Sequence, residues 1–495
     1  MRQRLYLRQR YPAFLGYAGE IFVIIGFLHL VPLLLIPIFP DEIDQAAGFL
    51  LAGVPLIIIG ALFWKRLAPK EPLSLSVQEG YVVVTLVWVI AILVSAIPFI
   101  VNVGLNFTQA VFESTSGWAT VGLTMIDVTQ ASHLILFFRS FIQFAGGAGF
   151  AIIAVSVLAG AFGSGLSAAE GRTDQLAPHV RNSASLVLRI YLSYAVFGIL
   201  ALMLAGMDWF DAINHAFTAL ATGGFSTRPE SIAYWNSPAV EAVLVVLMIL
   251  GAVNFVVPYL LLQRKFRVVL RNGEIRFMGF SIVLAIVLVF TIVATALYPT
   301  VEKAIRVSVF EVVATATTTG LSTVDFRAWT DFGLMIMIIL MLIGGGTGST
   351  AGAIKQFRIY ILYKSIIWEF RRAFMPQHMV NEPAIWQGEK RQLMSDRQVR
   401  QVALFIGLYF TVFLIGSGIT MLHGYPFRES LFEFASTLGG VGVSIGITTA
   451  ATPPTLLWTQ SVAMVLGRLE FFTVIIGIFK IMSDLRIMFL QRSTR

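Results

Sequence analysis

The chain has 495 residues, 57% of them hydrophobic and only 13% charged, with a mean hydropathy of +0.81. A soluble domain is about 45–50% apolar and about 25% charged, so this chain has too few charges to cover a water-facing surface and reads as a bilayer protein. It has no cysteine, its six histidines lack H-E-x-x-H spacing, and its net charge of +8 fits basic cytoplasmic loops, which argues against a disulfide framework, a zinc hydrolase and a nucleic-acid binder.

The N-terminus is basic (Arg2, Arg4, Arg8, Arg10), but the apolar run behind it is too long for a signal peptide and lacks a small-residue cleavage site. It reads as a retained membrane anchor. A spanning helix needs about 20 mostly apolar residues. Ten such runs lie near 17–39, 47–65, 80–102, 134–160, 184–206, 238–262, 276–298, 331–363, 400–422 and 457–482. Basic clusters occur at the N-terminus, at Lys65, Arg66 and Lys70, at Arg264, Lys265, Arg267 and Arg271, from Lys364 through Arg371, Arg372, Lys390 and Arg391 to Arg400, and at Lys480, Arg486, Arg492 and Arg495. All fall on one side of a ten-span path, and the positive-inside rule makes that side cytoplasmic, with both termini. The opposite side carries Asp41, Glu42 and Asp44 and four unusual connections, 104–130, 208–235, 300–329 and 424–455. These are too short to span and too apolar for ordinary loops. Re-entrant segments fit, because non-helical backbone at membrane depth is tolerated only inside protein or along a water-filled path.

The four connections repeat one another. In register they read FESTSGWATVGLT (112–124), NHAFTALATGGFS (214–226), FEVVATATTTGLS (310–322) and FEFASTLGGVGVS (432–444). One glycine is common to all: Gly122, Gly224, Gly320 and Gly442. A hydrophobic residue (Leu123, Phe225, Leu321, Val443) and a hydroxyl (Thr124, Ser226, Ser322, Ser444) follow each. Thr120, Thr222 and Thr318 stand two places before it, and Gly440 replaces threonine in the fourth copy. A second glycine recurs 24 to 27 residues later (146 minus 122 is 24; 251 minus 224 is 27) at 146, 251, 345 and 467. Each repeat holds two spans, so all four copies point the same way through the membrane and relate about an axis along its normal. Four like-oriented loops then converge as a selectivity filter, in which backbone carbonyls replace an ion's hydration shell. Glycine suits the task because the backbone must reach φ values barred to other residues. The C-termini of the short helices before the loops, each carrying roughly half a negative charge, favour a cation.

Other residues read more plainly. Glu113, Glu311 and Glu433 lie early in the short helices and are taken to complement helix N-termini, with His215 as their equivalent in the second copy. Arg139 lies near a helix end, where it would snorkel. Arg468 and Glu470 are ionisable groups within a span, which mark function or a buried pair, but two places apart they do not share a helix face. Lys355, just past the glycine run, reads either as a cytoplasmic anchor or as part of the gate, with the anchor reading preferred. GSTAGAIK (348–355) fails the G-K-[ST] ending of a P-loop and interrupts an apolar span rather than following a strand.

The four loops resemble those of the Trk/Ktr/HKT potassium transporter superfamily, over about residues 80–490, and the two additional N-terminal spans place the likeness closest to its TrkH branch. The resemblance implies an all-α integral membrane protein of four helix–pore loop–helix units around one pore. Its units are 1–72 (two extra helices), 73–172, 173–272, 273–396 (with a gating loop and a cytoplasmic connection) and 397–495. It implies a potassium-binding filter at Thr120, Val121, Gly122, Thr222, Gly223, Gly224, Thr318, Thr319, Gly320, Gly440, Val441 and Gly442. It also implies a gate in the broken second helix of unit three, at Gly344, Gly345, Gly346, Thr347 and Gly348, faced by Arg468. Further implied are a homodimer in the inner membrane and a cytoplasmic TrkA-type regulatory partner that carries any nucleotide. No cofactor is expected in this chain beyond the transported K+. The function read here is potassium uptake without catalysed chemistry. Gly440 departs from the threonine pattern, which leaves open a sodium-permeable or cation-coupled (Na+ or H+) symporter.

Overall fold

The computed structural model describes residues 2–69, 76–149, 180–375, 384–387 and 390–490. Two helices, α1 (Arg2–Leu30) and α2 (Ala46–Leu67), open the chain as an antiparallel pair. Glycines set their closeness: a Cβ on Gly19 would lie 2.7 Å from the carbonyl oxygen of Gly60, and one on Gly26 would lie 2.8 Å from that of Gly53. Small residues at such crossings let helix backbones approach, which is how helices associate in an apolar solvent.

From Val77 onward the chain four times builds a long helix, a short helix, an extended loop and a further helix. The first set is α3 (Val77–Val103), α4 (Phe107–Trp118) and α5 (His133–Ala148). The second is α6 (Val180–Leu204), α7 (Trp209–Ala221), α8 (Pro238–Ala252) and α9 (Val256–Leu262), followed by the turn-length α10 (Phe266–Arg271). The third is α11 (Gly273–Leu288), extended to Leu297 through a π-helical stretch, then α12 (Val301–Ala316), α13 (Asp331–Ile343) and α14 (Gln356–Ala373). After an antiparallel hairpin, β1 (Ala384–Gln387) and β2 (Lys390–Leu393), come α15 (Asp396–Leu422), α16 (Phe427–Gly439), α17 (Pro454–Leu469) and α18 (Phe471–Leu490). Side-chain caps start many of them, including capping boxes at Ser76/Glu79 and Asn106/Gln109.

Within the described residues, each apolar run seen in the sequence becomes a helix or a pair of helices. Six described helices are long and apolar enough to cross a membrane, or eight if each of two bent pairs counts as one span. Large apolar side chains such as Phe197, Leu200, Phe280, Val283, Leu404 and Phe479 face outward, as a lipid-bathed surface requires. This is a multi-pass membrane protein. The expected continuation of the fourth span to 160, the unit boundaries near 72 and 172, and Lys70, Arg492 and Arg495 lie outside the described residues.

Two runs that read as straight spans are not straight. The chain turns by 110° between α8 and α9 and by 106° between α17 and α18. Only the break after Ile343 was anticipated. Between 252 and 255 there is no proline or glycine to announce the first bend. Its cause is tertiary: Gly346 N–H donates to the Ala252 carbonyl (2.8 Å) and Thr350 N–H to the Gly251 carbonyl (3.1 Å). The last carbonyls of α8 thus find partners in another segment instead of a continuing helix.

Candidate ion pathway

The short helices are enclosed by the others. In α4 every residue from Ala110 to Trp118 is buried, and α7, α12 and α16 are nearly as enclosed. Each ends in a loop of the same backbone form. Thr120, Thr222, Thr318 and Gly440 have φ of 53°, 51°, 57° and 70°, and the glycines two places on have φ of 102°, 79°, 73° and 88°. Left-handed residues alternating with ordinary ones turn successive N–H groups to one side and successive carbonyls to the other. In each loop the N–H of the middle residue is turned back to its own helix: Val121 to Ser116 O (2.9 Å), Gly223 to Thr218 O (2.8 Å), Thr319 to Ala314 O (2.8 Å) and Val441 to Ser436 O (2.8 Å). The missing threonine at 440 therefore leaves the backbone path unchanged; Gly440 adopts without strain what the three threonines adopt at a cost.

The loops meet in a closed ring. A Cβ on Gly122 would lie 2.5 Å from the carbonyl oxygen of Gly223. One on Gly224 would strike the carbonyl of Thr319, one on Gly320 that of Val441, and one on Gly442 that of Val121. Each shared glycine is thus the only residue that lets the next loop's carbonyl seat against it. The second glycine motif divides. Gly146, Gly251 and Gly467 pack under the carbonyls of Trp118, Leu220 and Leu438, at the ends of the short helices. Gly345 does not, because its helix has already ended and it lies within the following loop.

The three glutamates do not serve helix N-termini, as the sequence suggested; they sit within the helices, wholly buried, and tie down the chain leaving the ring. Glu113 accepts from Met125 N–H (2.7 Å) and Thr124 Oγ1 (2.9 Å), Glu311 from Thr323 N–H and Oγ1 (2.7 Å each), and Glu433 from Ile445 N–H (2.9 Å) and Ser444 Oγ (2.8 Å). In the second unit His215 Nε2 pairs with Ser226 Oγ (2.9 Å), while Asp211 takes Thr227 Oγ1 (2.7 Å). Arg139 is no snorkelling residue either. It is buried, donates to Glu113 (2.8 Å) and Thr124 Oγ1 (2.8 Å), and lies over the Phe225 ring at 4.1 Å, joining the first two loops. The pair is separated by 26 positions in sequence, so no local pattern announces it.

On one face of the ring opens a vestibule of about 830 Å³, lined by Gly122, Gly224, Gly320 and Gly442 and by the segments after them. Its arginines are matched: Arg139 by Glu113, Arg228 by Asp211 (2.9 Å) and Arg327 by Asp325 (2.5 Å). Asp127 and Glu230 then tip the rim to negative charge. Hydrogen bonds from the Thr129 hydroxyl and N–H hold the Asp127 carboxyl below the ordinary range, so it is ionised at neutral pH.

On the other face, the chain from Gly344 to Lys355 runs as a non-helical segment across the ring. Thr350 Oγ1 donates to the carbonyls of Leu220 (3.0 Å) and Gly251 (2.9 Å), and Gly352 N–H to Thr318 Oγ1 (3.0 Å). A Cβ on Gly352 would lie 2.5 Å from the Gly439 carbonyl. Arg468 bonds the Thr350 carbonyl and also the Gly146 carbonyl at 2.7 Å. The segment therefore touches units two, three and four directly and unit one through Arg468. Gly344, Gly345, Gly346, Thr347 and Gly348 all lie in it, but it extends beyond them, and Thr350 makes more of its anchoring bonds than any other single residue. Arg468 and Glu470 are indeed not mutual partners: Glu470 pairs with Arg358 (2.7 Å). Lys355 is buried and close enough to Glu470 for their charges to interact, so it is not an exposed anchor.

A helical membrane chain whose ring of loops opens to an acidic vestibule and is crossed by an internal segment has the architecture of a membrane cation transporter. The chain belongs to the TrkH family of cation transport proteins, whose family model matches residues 46–487. It is 31% identical to the Trk system potassium uptake protein TrkH of Escherichia coli strain K12 over 437 residues, 86% of this chain and 89% of that one. It is also 31% identical to the TrkG protein of the same strain, over 91% of this chain and 94% of that one. The crystal structure of the potassium transporter TrkH from Vibrio parahaemolyticus superposes with a TM-score of 0.82 at 26% identity, covering 94% of this chain and 98% of that one.

Proposed function

We propose that this chain takes up potassium through the ring of four loops, and that the segment 344–355 gates the path. The ring of glycine-to-carbonyl contacts carries the reading, because it gathers backbone carbonyls of four loops at one place. A cation drawn to the acidic vestibule exchanges water for the carbonyls of 120–122, 222–224, 318–320 and 440–442. Potassium suits the site because rigid backbone oxygens replace a loosely held hydration shell more readily than a tightly held one. Beyond the ring, the ion meets the 344–355 segment and the positive charge of Arg468, which together form the barrier. The positive-inside rule, applied to the basic loops, supports a cytoplasmic position for both termini across an inner membrane. The units 1–72, 73–172, 173–272, 273–396 and 397–495 then each carry one part of the machine. Two such chains pair, and a TrkA-type ring that binds nucleotide docks on the cytoplasmic side; the nucleotide belongs to that partner and not to this chain.

A sodium-permeable or cation-coupled version is the second reading, favoured by the unlike residues at 223 and 440, which make the walls chemically unequal. Fluxes of potassium, rubidium and sodium into liposomes separate the two. Sodium flux equal to potassium flux would defeat the selectivity reading. Uptake that follows an imposed pH gradient but ignores membrane potential would favour coupling. Replacing Gly320 by serine should change ion preference, and an unchanged preference would defeat the filter assignment.

A further inference from the structure

Three of the four loops place a side chain immediately before the shared glycine: Val121, Thr319 and Val441, all wholly buried behind the ring. The second loop has Gly223 there and no side chain. The space is not empty. A Cβ on Gly223 would lie 2.5 Å from both Cδ and Oε1 of Gln143, a wholly buried residue on α5, which belongs to the unit before. Gln143 Nε2 donates to the Gly223 carbonyl at 2.5 Å, and its Oε1 accepts from Phe225 N–H at 3.2 Å. Both ends of the amide are thereby engaged with the second loop, as burial of an amide requires.

We infer that Gln143 is a specificity-determining positioning residue: its amide replaces the side chain that Gly223 lacks and sets the position and strength of the Gly223 carbonyl as an ion ligand. This rests on the filter reading above. A carbonyl that already accepts an N–H has less electron density to offer a cation, and it is held in place by the bond. A weaker and more rigid ligand disfavours the small, strongly hydrated sodium ion relative to potassium. Removing the donor both strengthens that oxygen and frees it to close on a smaller ion. Gly223 and Gln143 are thus one device: glycine vacates the space, and a neighbouring helix supplies the polar group that fills it.

The test uses the full chain in liposomes with Gln143→Met and Gln143→Leu. Methionine keeps the length and volume without hydrogen bonds, and its flexibility fits irregular gaps, so folded protein is retained even where leucine packs poorly. The expected result is a fall of about fivefold in the potassium-over-sodium permeability ratio at similar total flux, the factor that one net hydrogen bond of about 1 kcal/mol carries. A role in packing alone would change yield and thermal stability and leave the ratio fixed. An unchanged ratio in the methionine variant overturns the inference. Gly320→Ser is run beside it. A shift there with none in the Gln143 variants defeats only the role of Gln143, whereas no shift in Gly320→Ser defeats the filter reading itself.

Discussion

Replacing Gly122 by alanine is the most direct test of the ring. The new Cβ would lie 2.5 Å from the Gly223 carbonyl oxygen and 3.2 Å from the carbonyl carbon and Cα of Gly224. Real Cβ atoms stay at least 3.0 Å away, so the neighbouring carbonyl must retreat by at least 0.5 Å, and no side-chain rotation can absorb that because the atom is backbone. Gly223 is also pinned by Gln143 at 2.5 Å. In addition, φ of 102° strains any residue with a Cβ, costing about 1–3 kcal/mol. A misplacement of about 1 Å costs roughly a hundredfold at a reacting centre, so half of that corresponds to about tenfold in ion preference, or about 1.4 kcal/mol. Gly104→Ala is the matched control: its φ is 79°, but nothing lies within 4 Å of the new methyl. Bi-ionic reversal potentials or paired isotope fluxes in liposomes read the outcome. Both variants should lose thermal stability, and only Gly122→Ala should lose potassium preference. Wild-type preference in folded Gly122→Ala would refute the reasoning.

Three further outcomes follow from other contacts. Arg468→Ala removes both the bond to Thr350 and the bond to Gly146; basal ion flux should rise severalfold without the regulatory partner, and so should flux on shortening the 344–348 run, in stopped-flow or isotope uptake. Arg139→Met leaves the buried Glu113 without its cation, which should destabilise the chain by about 3–5 kcal/mol, and adding Glu113→Gln should recover much of this in a thermal unfolding series. Gly53→Val wedges α1 and α2 apart, since a Cβ there would already lie 2.8 Å from the Gly26 carbonyl; the melting temperature should fall while the potassium-over-sodium ratio stays at the wild-type value.

The ring itself was legible because its geometry demands one residue type at one place four times over, and Gly122, Gly224, Gly320 and Gly442 stand in register. The interrupted helix after Ile343 was legible for a similar reason, since GGGTGSTAG cannot hold a helix. What supports the ring was not. Arg139 and Gln143 act on the loop of the next unit, through contacts that no periodicity encodes. The glutamates were legible as a repeated feature but were given the wrong job, because position in a short helix does not reveal that the exit strand folds back over it. The bend after Ala252 was missed although Gly251 and Pro258 flank it, because the partners that take up the last carbonyls of the helix lie about a hundred residues away. Glu470, at φ of 63°, likewise turns where composition predicts continuity.

The ring also has a sense of rotation. Gly122 leans on the second loop, Gly224 on the third, Gly320 on the fourth, and Gly442 returns to Val121 of the first. Each wall is braced by the one made after it, except the last, which is braced by the one made first. During synthesis the chain therefore carries an open notch until its final quarter enters the membrane, and a chain ending before Gly442 would leave Val121 without its seat. Closure of the ring is thus a property of the fourth loop, which alone brings the last wall back against the first.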